Sequence, residues 1–179
     1  MRLTRRTLLT GALFACGFRA RAQSPSDARV KARLALALVR FTQWPNAAFA
    51  APTEPLVMCV VSRSPVMAEA FTELAGQTVA GRPIKVVQTP DKSFGGCHVL
   101  FLHDSAERNA AASLSILTSL GASPVLTIGD AEGFSSRGGM VELVNINDTM
   151  RLDVNLKSLR AAQLSLSSQV LKLARQVRE

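Results

Sequence analysis

Gly96-Cys97-His98-Val99-Leu100-Phe101-Leu102 is the stretch on which the fold turns. From His98 onward the apolar residues run without alternation, which fits a short strand buried on both faces of a sheet. Leu56-Val57-Met58-Cys59-Val60-Val61 upstream and Val125-Leu126-Thr127-Ile128 downstream have the same character. Ile84-Lys85-Val86-Val87 reads as a further strand. Helix signals separate these runs. Ser64-Pro65 gives a cap followed by a first-turn proline, Val66 to Leu74 fills the helix, and Gly76 stops it. Ser105 to Leu120 is Ala-rich and closes at Gly121. Strands alternating with helices predict a single α/β domain with a largely parallel central sheet flanked by helices.

Beyond Ile128 the pattern changes. A Gly-rich loop, Gly133-Phe134-Ser135-Ser136-Arg137-Gly138-Gly139, precedes two alternating segments, Met140 to Val144 and Met150 to Val154. Asn145-Ile146-Asn147-Asp148-Thr149 between them is turn chemistry. The expectation is a half-exposed, C-terminal antiparallel hairpin. Asn155 is placed to cap a terminal helix from Leu156. Whether Leu164-Ser165-Leu166 breaks that helix stays open; Ser167 or Ser168 offers a second cap. Upstream, Val30, Leu34, Leu38 and Phe41 fall at helical spacing, and Trp44-Pro45 marks the exit.

The first 22 residues read as an export signal. Met1 to Arg6 is basic, Thr7 to Phe18 is apolar but too short to span a bilayer, and Ala20-Arg21-Ala22 is a cleavage site. Thr4-Arg5-Arg6-Thr7-Leu8-Leu9 fits a twin-arginine signal as well as an ordinary secretory one. Phe14 is bulky for a lipoprotein box, which argues against anchoring at Cys16. Residues 23–27 read as a mobile N-terminus and 28–179 as the exported domain. The whole chain carries 21 basic and 13 acidic residues, net +8. Five of those arginines lie in the signal, leaving 16 against 13, or +3. The basic excess is largely targeting charge, which removes the argument for a nucleic-acid partner.

Two cysteines remain, Cys59 and Cys97. An even pair in an exported chain favours a disulfide over two separate buried thiols. Isolated cysteines and two histidines lack the close spacing of a zinc site, so no metal is expected.

No stretch assembles a catalytic set by sequence. His98, at the start of a buried strand, is read as structural rather than as a base or switch. His103-Asp104-Ser105 resembles a triad only in letters, since adjacent residues point apart; Asp104 or Ser105 is better read as a helix cap. The Gly-rich loop has neither the P-loop lysine nor G-x-G-x-x-G spacing. Phe41 is read as core and Trp44 as packing at the helix exit or an interface anchor. The protein is therefore read as a binder, not an enzyme, and no cofactor is expected.

Segments in a particular order resemble the YfiR/HmsC family of periplasmic regulators. They are Val39-Arg40-Phe41-Thr42-Gln43-Trp44-Pro45, Gly81-Arg82-Pro83-Ile84, Cys97 to Leu102, Pro124 to Ile128, Gly133-Phe134, Gly138-Gly139-Met140-Val141, Arg151-Leu152-Asp153-Val154-Asn155 and Leu166 to Ala174. The resemblance implies a repressor that binds the periplasmic sensor region of an inner-membrane diguanylate cyclase and lowers cyclic di-GMP and biofilm formation. It also implies possible relief by a peptidoglycan-binding outer-membrane lipoprotein, and homodimers. Cys59 and Cys97 match only the first of two cysteine pairs found in some members. Trp44, Phe134 and Arg137 are the expected partner-binding residues. The competing expectation is a periplasmic small-molecule-binding module serving a transporter or sensor kinase.

Overall fold

The computed structural model describes residues 24–89, 94–103 and 110–179. The expected export signal at residues 1–22, the expected caps Asp104 and Ser105, and residues 105–109 of the expected Ala-rich helix lie outside the described residues.

The chain runs α1 (Pro25–Arg40), β1 (Thr42–Gln43), a 3-10 turn (Asn46–Ala48), β2 (Leu56–Val61), α2 (Pro65–Thr72), β3 (Thr78–Val79) and β4 (Arg82–Gln88). It continues with β5 (Val99–Leu102), α3 (Ala110–Leu120), β6 (Leu126–Gly129), β7 (Val141–Ile146), β8 (Thr149–Asn155), α4 (Leu156–Ala161), β9 (Ser165–Leu166), α5 (Ser168–Leu173) and β10 (Gln176–Arg178). Eight strands form one sheet in the order β10-β8-β7-β6-β5-β2-β4-β3. The central strands β4, β2, β5, β6 and β7 are parallel. The edges are antiparallel, β3 on β4 and β8 on β7, with β10 added parallel to β8. The expected α/β domain, with its largely parallel sheet, C-terminal hairpin and terminal helix, is what the chain forms. The parts not read in advance are the short strands β1, β3, β9 and β10. Leu164-Ser165-Leu166 does break the final helix, because Ser165 and Leu166 pair with Gln43 and Thr42.

The two faces of the sheet are packed differently. On one, α1 and α2 cover Leu56, Met58, Val60, Val99, Phe101, Leu126 and Ile128. On the other, Ile116 of α3 and Phe134 of the Gly-rich loop cover Cys59, Val61, Leu100 and Leu102. A strand with apolar residues on both faces needs both layers, which is why β2, β5 and β6 read as continuous runs.

At the N-terminus, Ser24 caps α1 through the Asp27 N–H, and Pro25 fills the first turn. The buried face of α1 is Ala28, Ala32, Ala35, Leu36, Leu38 and Val39; Leu38 lies inward as expected, while Val30 and Phe41 are 43% and 42% exposed, which corrects the reading of Phe41 as core. Alanines at that spacing let the helix lie close to its neighbours. Val30 and Phe41 thus mislead about the inward face, which the alanines share with Leu36, Leu38 and Val39.

The hairpin turn places Asn147 and Asp148 at φ 49° and 59°. Two successive positive φ values make the type I′ turn that matches strand twist, and Asn and Asp tolerate it.

Candidate functional site

In an open α/β sheet, ligands collect at the carboxyl ends of the strands where the winding reverses. Here β2 leads through α2 to β4 on one side, and β5 returns to the other side of β2. His103 follows β5 and Asp130 follows β6 at that end. His103 Nδ1 donates to Asp130 Oδ2 over 2.7 Å, and Lys31 of α1 reaches the same oxygen at 2.8 Å. Lys31 also pairs with Asp27 one turn earlier, at 3.0 Å. Burial is the strongest single influence on Asp130 and opposes its charge. The His103 hydrogen bond and the His103 and Lys31 charges together outweigh it and hold the carboxyl below its ordinary range. Burial likewise works against the Lys31 ammonium, but Asp130 and Asp27 prevail and raise its pKa.

The Gly-rich loop is tied down beside this cluster. Glu142, on β7, accepts from the Gly133 N–H, the Ser135 N–H and the Ser135 hydroxyl at 2.8, 2.9 and 2.8 Å. Asn155 donates to the Ser135 carbonyl and caps α4 through Ser158 N–H. Met140 N–H donates to Thr127 Oγ1. Under the loop, Phe134 is fully buried between Gly129 and Gly139. Opposite Glu142 in the hairpin, Asp153 receives both Nε and Nη2 of Arg175. A cavity of about 500 Å³ opens here, lined by Asp130, Glu132, Glu142, Asp153, Arg175 and Arg178 among others.

A second polar cluster lies at the opposite, amino end of β5. His98 Nδ1 accepts from the Val57 N–H at 3.1 Å, so the ring proton sits on Nε2 and is given to the Ala48 carbonyl at 3.1 Å. The ring stacks on Phe49, with centroids 4.4 Å apart, and the Arg82 guanidinium lies over Phe49 at 3.8 Å. Arg82 donates to the carbonyls of Ala51 and Glu54, and Trp44 Nε1 donates to the His98 carbonyl at 3.3 Å. His98 thus clamps the 44–55 loop to the sheet. Cys97, its neighbour, is bonded to Cys59, with Cα atoms 5.8 Å apart.

Burial, the main influence on His98, pushes its pKa below the ordinary histidine value; the Arg82 charge acts in the same direction, while the Ala48 hydrogen bond and Glu54 oppose it. The folded ring is therefore held neutral, and the unfolded chain binds the proton more tightly. His98 contributes stability above the ordinary value of about 6.5, and that contribution is lost as pH falls through 6.5 toward the lower folded value. Acidification from pH 7.5 to 5.5 should lower the melting temperature and alter the emission of Trp44, the chain's single tryptophan. In His98→Gln the slope over that interval should flatten. An unchanged slope would show that another group carries it.

The anticipated binding residues do not converge. Trp44 is half-buried in the amino-end cluster. Arg137 is half-buried in the Gly-rich loop at the carboxyl end, where it donates to the Glu132 carbonyl. Phe134 has no exposed surface, so it supports that loop from beneath and presents nothing to a partner. Glu142 and Asp153 are also corrected: they sit at the polar positions of alternating strands, yet are 5% and 2% exposed. They face the loop and Arg175 rather than water. The Lys31–Asp130 pair was missed. Its one sequence signal is the Asp27–Lys31 spacing of one helical turn.

These clusters act as braces: each carboxylate closes on a neighbouring donor, and a ligand would have to displace one of them. Among the described residues no group of three or more His, Cys, Asp or Glu is arranged to hold a metal. No described helix is long and apolar enough to cross a membrane. The chain is a doubly wound α/β domain. Similar solved structures share that fold. One is an ABC domain in complex with L-Trp from Streptococcus pneumonia, with TM-score 0.53 and 14% identity over 84% of this chain and 60% of that one. Another is a conserved domain protein from Vibrio cholerae, with TM-score 0.52 and 10% identity over the same shares. This chain spans only about 60% of either. No curated protein matches it in sequence. The YfiR/HmsC-like family model matches residues 28–175, and the chain belongs to that family.

Proposed function

We propose that this protein is a non-enzymatic periplasmic regulator that binds the periplasmic sensor region of an inner-membrane diguanylate cyclase and represses it. The observation that carries this reading is the family match over residues 28–175, nearly the whole described chain. The braced clusters agree with it, because they stabilise a surface rather than expose reactive groups. Repression works by population shift. The regulator binds the cyclase's inactive state more tightly than its active state; equal affinity would shift nothing. Lower cyclic di-GMP and less biofilm follow. An outer-membrane peptidoglycan-binding lipoprotein that captures the regulator would relieve the repression.

The test is cyclic di-GMP in the native host with and without the gene. The expected result is a rise on deletion, reversed by the full chain and not by one lacking residues 1–22. Unchanged cyclic di-GMP across growth and redox conditions would favour a second reading, a small-molecule-binding module serving a transporter or sensor kinase. The cavity beside the Gly-rich loop is the observation that supports that alternative.

A further inference from the structure

Strand β7 runs on past the strand beside it. β6 reaches it only at Val141 and Glu142, yet β7 continues to Ile146. The hairpin fixes which way the backbone groups of that overhang point. Asn155 N–H donates to the Met140 carbonyl at 2.8 Å. In an antiparallel pair alternate residues bond across the ladder. Glu142, Val144 and Ile146 therefore turn to β8, while Val141, Leu143 and Asn145 turn to the β6 side. Past Gly129 no strand among the described residues lies on that side. The Leu143 carbonyl and both backbone groups of Asn145 thus form a short free sheet edge. Leu143 and Asn145 line the cavity of about 500 Å³ beside the Gly-rich loop. Its volume falls within the range of about 300–1,000 Å³ usual for ligand sites.

The side chains around the cavity add a charge pattern. Asp130 is engaged by Lys31 and His103, Glu142 by the Gly-rich loop, and Asp153 by Arg175. Two lining charges are left over. The Glu132 carboxylate makes no ion pair or hydrogen bond among the described residues, and the residue is exposed. Arg178 gives Nη2 to Gln176 at 3.0 Å, while its Nε is buried with no acceptor. The site thus offers one negative group, one positive group and a strip of main-chain donor and acceptors.

Each of these features selects for a class of ligand. A bare sheet edge pairs with an extended main chain, which supplies the N–H groups and the carbonyl that Leu143 and Asn145 lack. Single opposite charges suit a ligand with a cationic and an anionic end. A free peptide of about three residues meets both demands, being roughly 10 Å long at 3.3–3.4 Å per residue. A nucleotide or other polyanion would bring no main-chain pattern and would set further negative charge beside Asp130, Glu132, Glu142 and Asp153.

We propose that the notch beyond the end of β6 binds a short free peptide, extended along β7, with its ammonium on Glu132 and its carboxylate on Arg178. This site stands whether or not the protein represses a cyclase.

The experiment titrates the isotope-labelled full chain with trialanine and follows it by nuclear magnetic resonance. The expected result is a saturable shift of the Asn145 amide and of the Arg178 Nε–H. N-acetyl-trialanine and trialanine amide each lose one charge-assisted contact and should bind about tenfold more weakly. Glu132→Gln should weaken trialanine binding by the same factor and leave the affinity for N-acetyl-trialanine unchanged. Arg178→Gln should behave in the same way toward the amide. Such paired losses are the mark of direct contact and not of a general loosening of the fold. Glu69→Gln, an exposed position on α2, is the control and should bind as wild type does. Asn145→Pro removes the free N–H at a position where a sheet edge tolerates proline, so it should fold and bind weakly. Trialanine N-methylated at its middle residue tests the same pairing without altering the protein, and should also bind weakly. The absence of a saturable shift with millimolar trialanine, trileucine and trilysine would overturn the proposal. So would binding that Glu132→Gln and Arg178→Gln leave intact, or equal binding of free alanine, which carries both charges but no extended main chain.

Discussion

Replacing Gly139 with alanine should destabilise the domain severely. A Cβ there would fall 2.1 Å from Phe134 Cε1, and one at Gly129 would fall 2.6 Å from the same ring. The ring cannot retreat, because it is fully buried against the β5 and β6 side of the sheet. Overpacking of this kind costs about 1–3 kcal/mol. Phe134→Ala, which leaves the opposite defect, should cost roughly 3–5 kcal/mol. A domain of this size loses about 2–4 °C in melting temperature per kcal/mol. Thermal unfolding of both variants and of Gly139→Ala/Phe134→Leu gives the decisive comparison. The smaller leucine should recover part of the Gly139→Ala loss, as expected of two residues in contact. Strictly additive losses would mean that the glycine is needed for some reason other than the ring.

The second large effect concerns Cys59 and Cys97. They are 38 positions apart, and closing a loop of that length restricts the unfolded chain by about 4 kcal/mol in the chain-entropy model. Urea unfolding of the wild type should shift to lower midpoint when dithiothreitol is added. Cys59→Ser/Cys97→Ser should unfold at the reduced midpoint with or without it. A double variant as stable as the oxidised wild type would remove the bridge from any account of the fold. The bond joins β2 to the residue that precedes His98, so its loss should also loosen the 44–55 loop and change Trp44 emission.

The sheet was legible because its central strands are buried on both faces. That leaves apolar runs at Leu56–Val61, Val99–Leu102 and, interrupted by Thr127, at Leu126–Gly129. Ser64-Pro65, Asn147-Asp148 and Asn155 are local chemistry, and each produced the cap or turn that its residue types specify. What escaped sequence reasoning depends on distant partners. Ser165-Leu166 and Gln176–Arg178 are too short to show a period; they are strands only because Thr42-Gln43 and β8 lie beside them. Glu142 and Asp153 look solvent-facing by alternation, and only the folded loop and Arg175 explain their burial. Phe134 reads as a loop aromatic until two glycines on either side of it make a slot. The inward face of α1 was legible at Leu38 but not at Ala28, Ala32 and Ala35, because alanine carries little hydrophobic signal.

The pairing of β1 with β9 has a kinetic consequence. Gln43 and Ser165, joined by a side-chain hydrogen bond as well as by the ladder, are 122 positions apart. Contacts that close so long a loop are slow to form, because chain entropy is lost before the contact rewards it. The exit of α1 therefore stays unlatched until residues 165–166 have been synthesised and brought back to it. A nascent chain stalled before that point would hold a helix and several strands but no latch. Completion of the fold would then wait on Ser165 and Leu166.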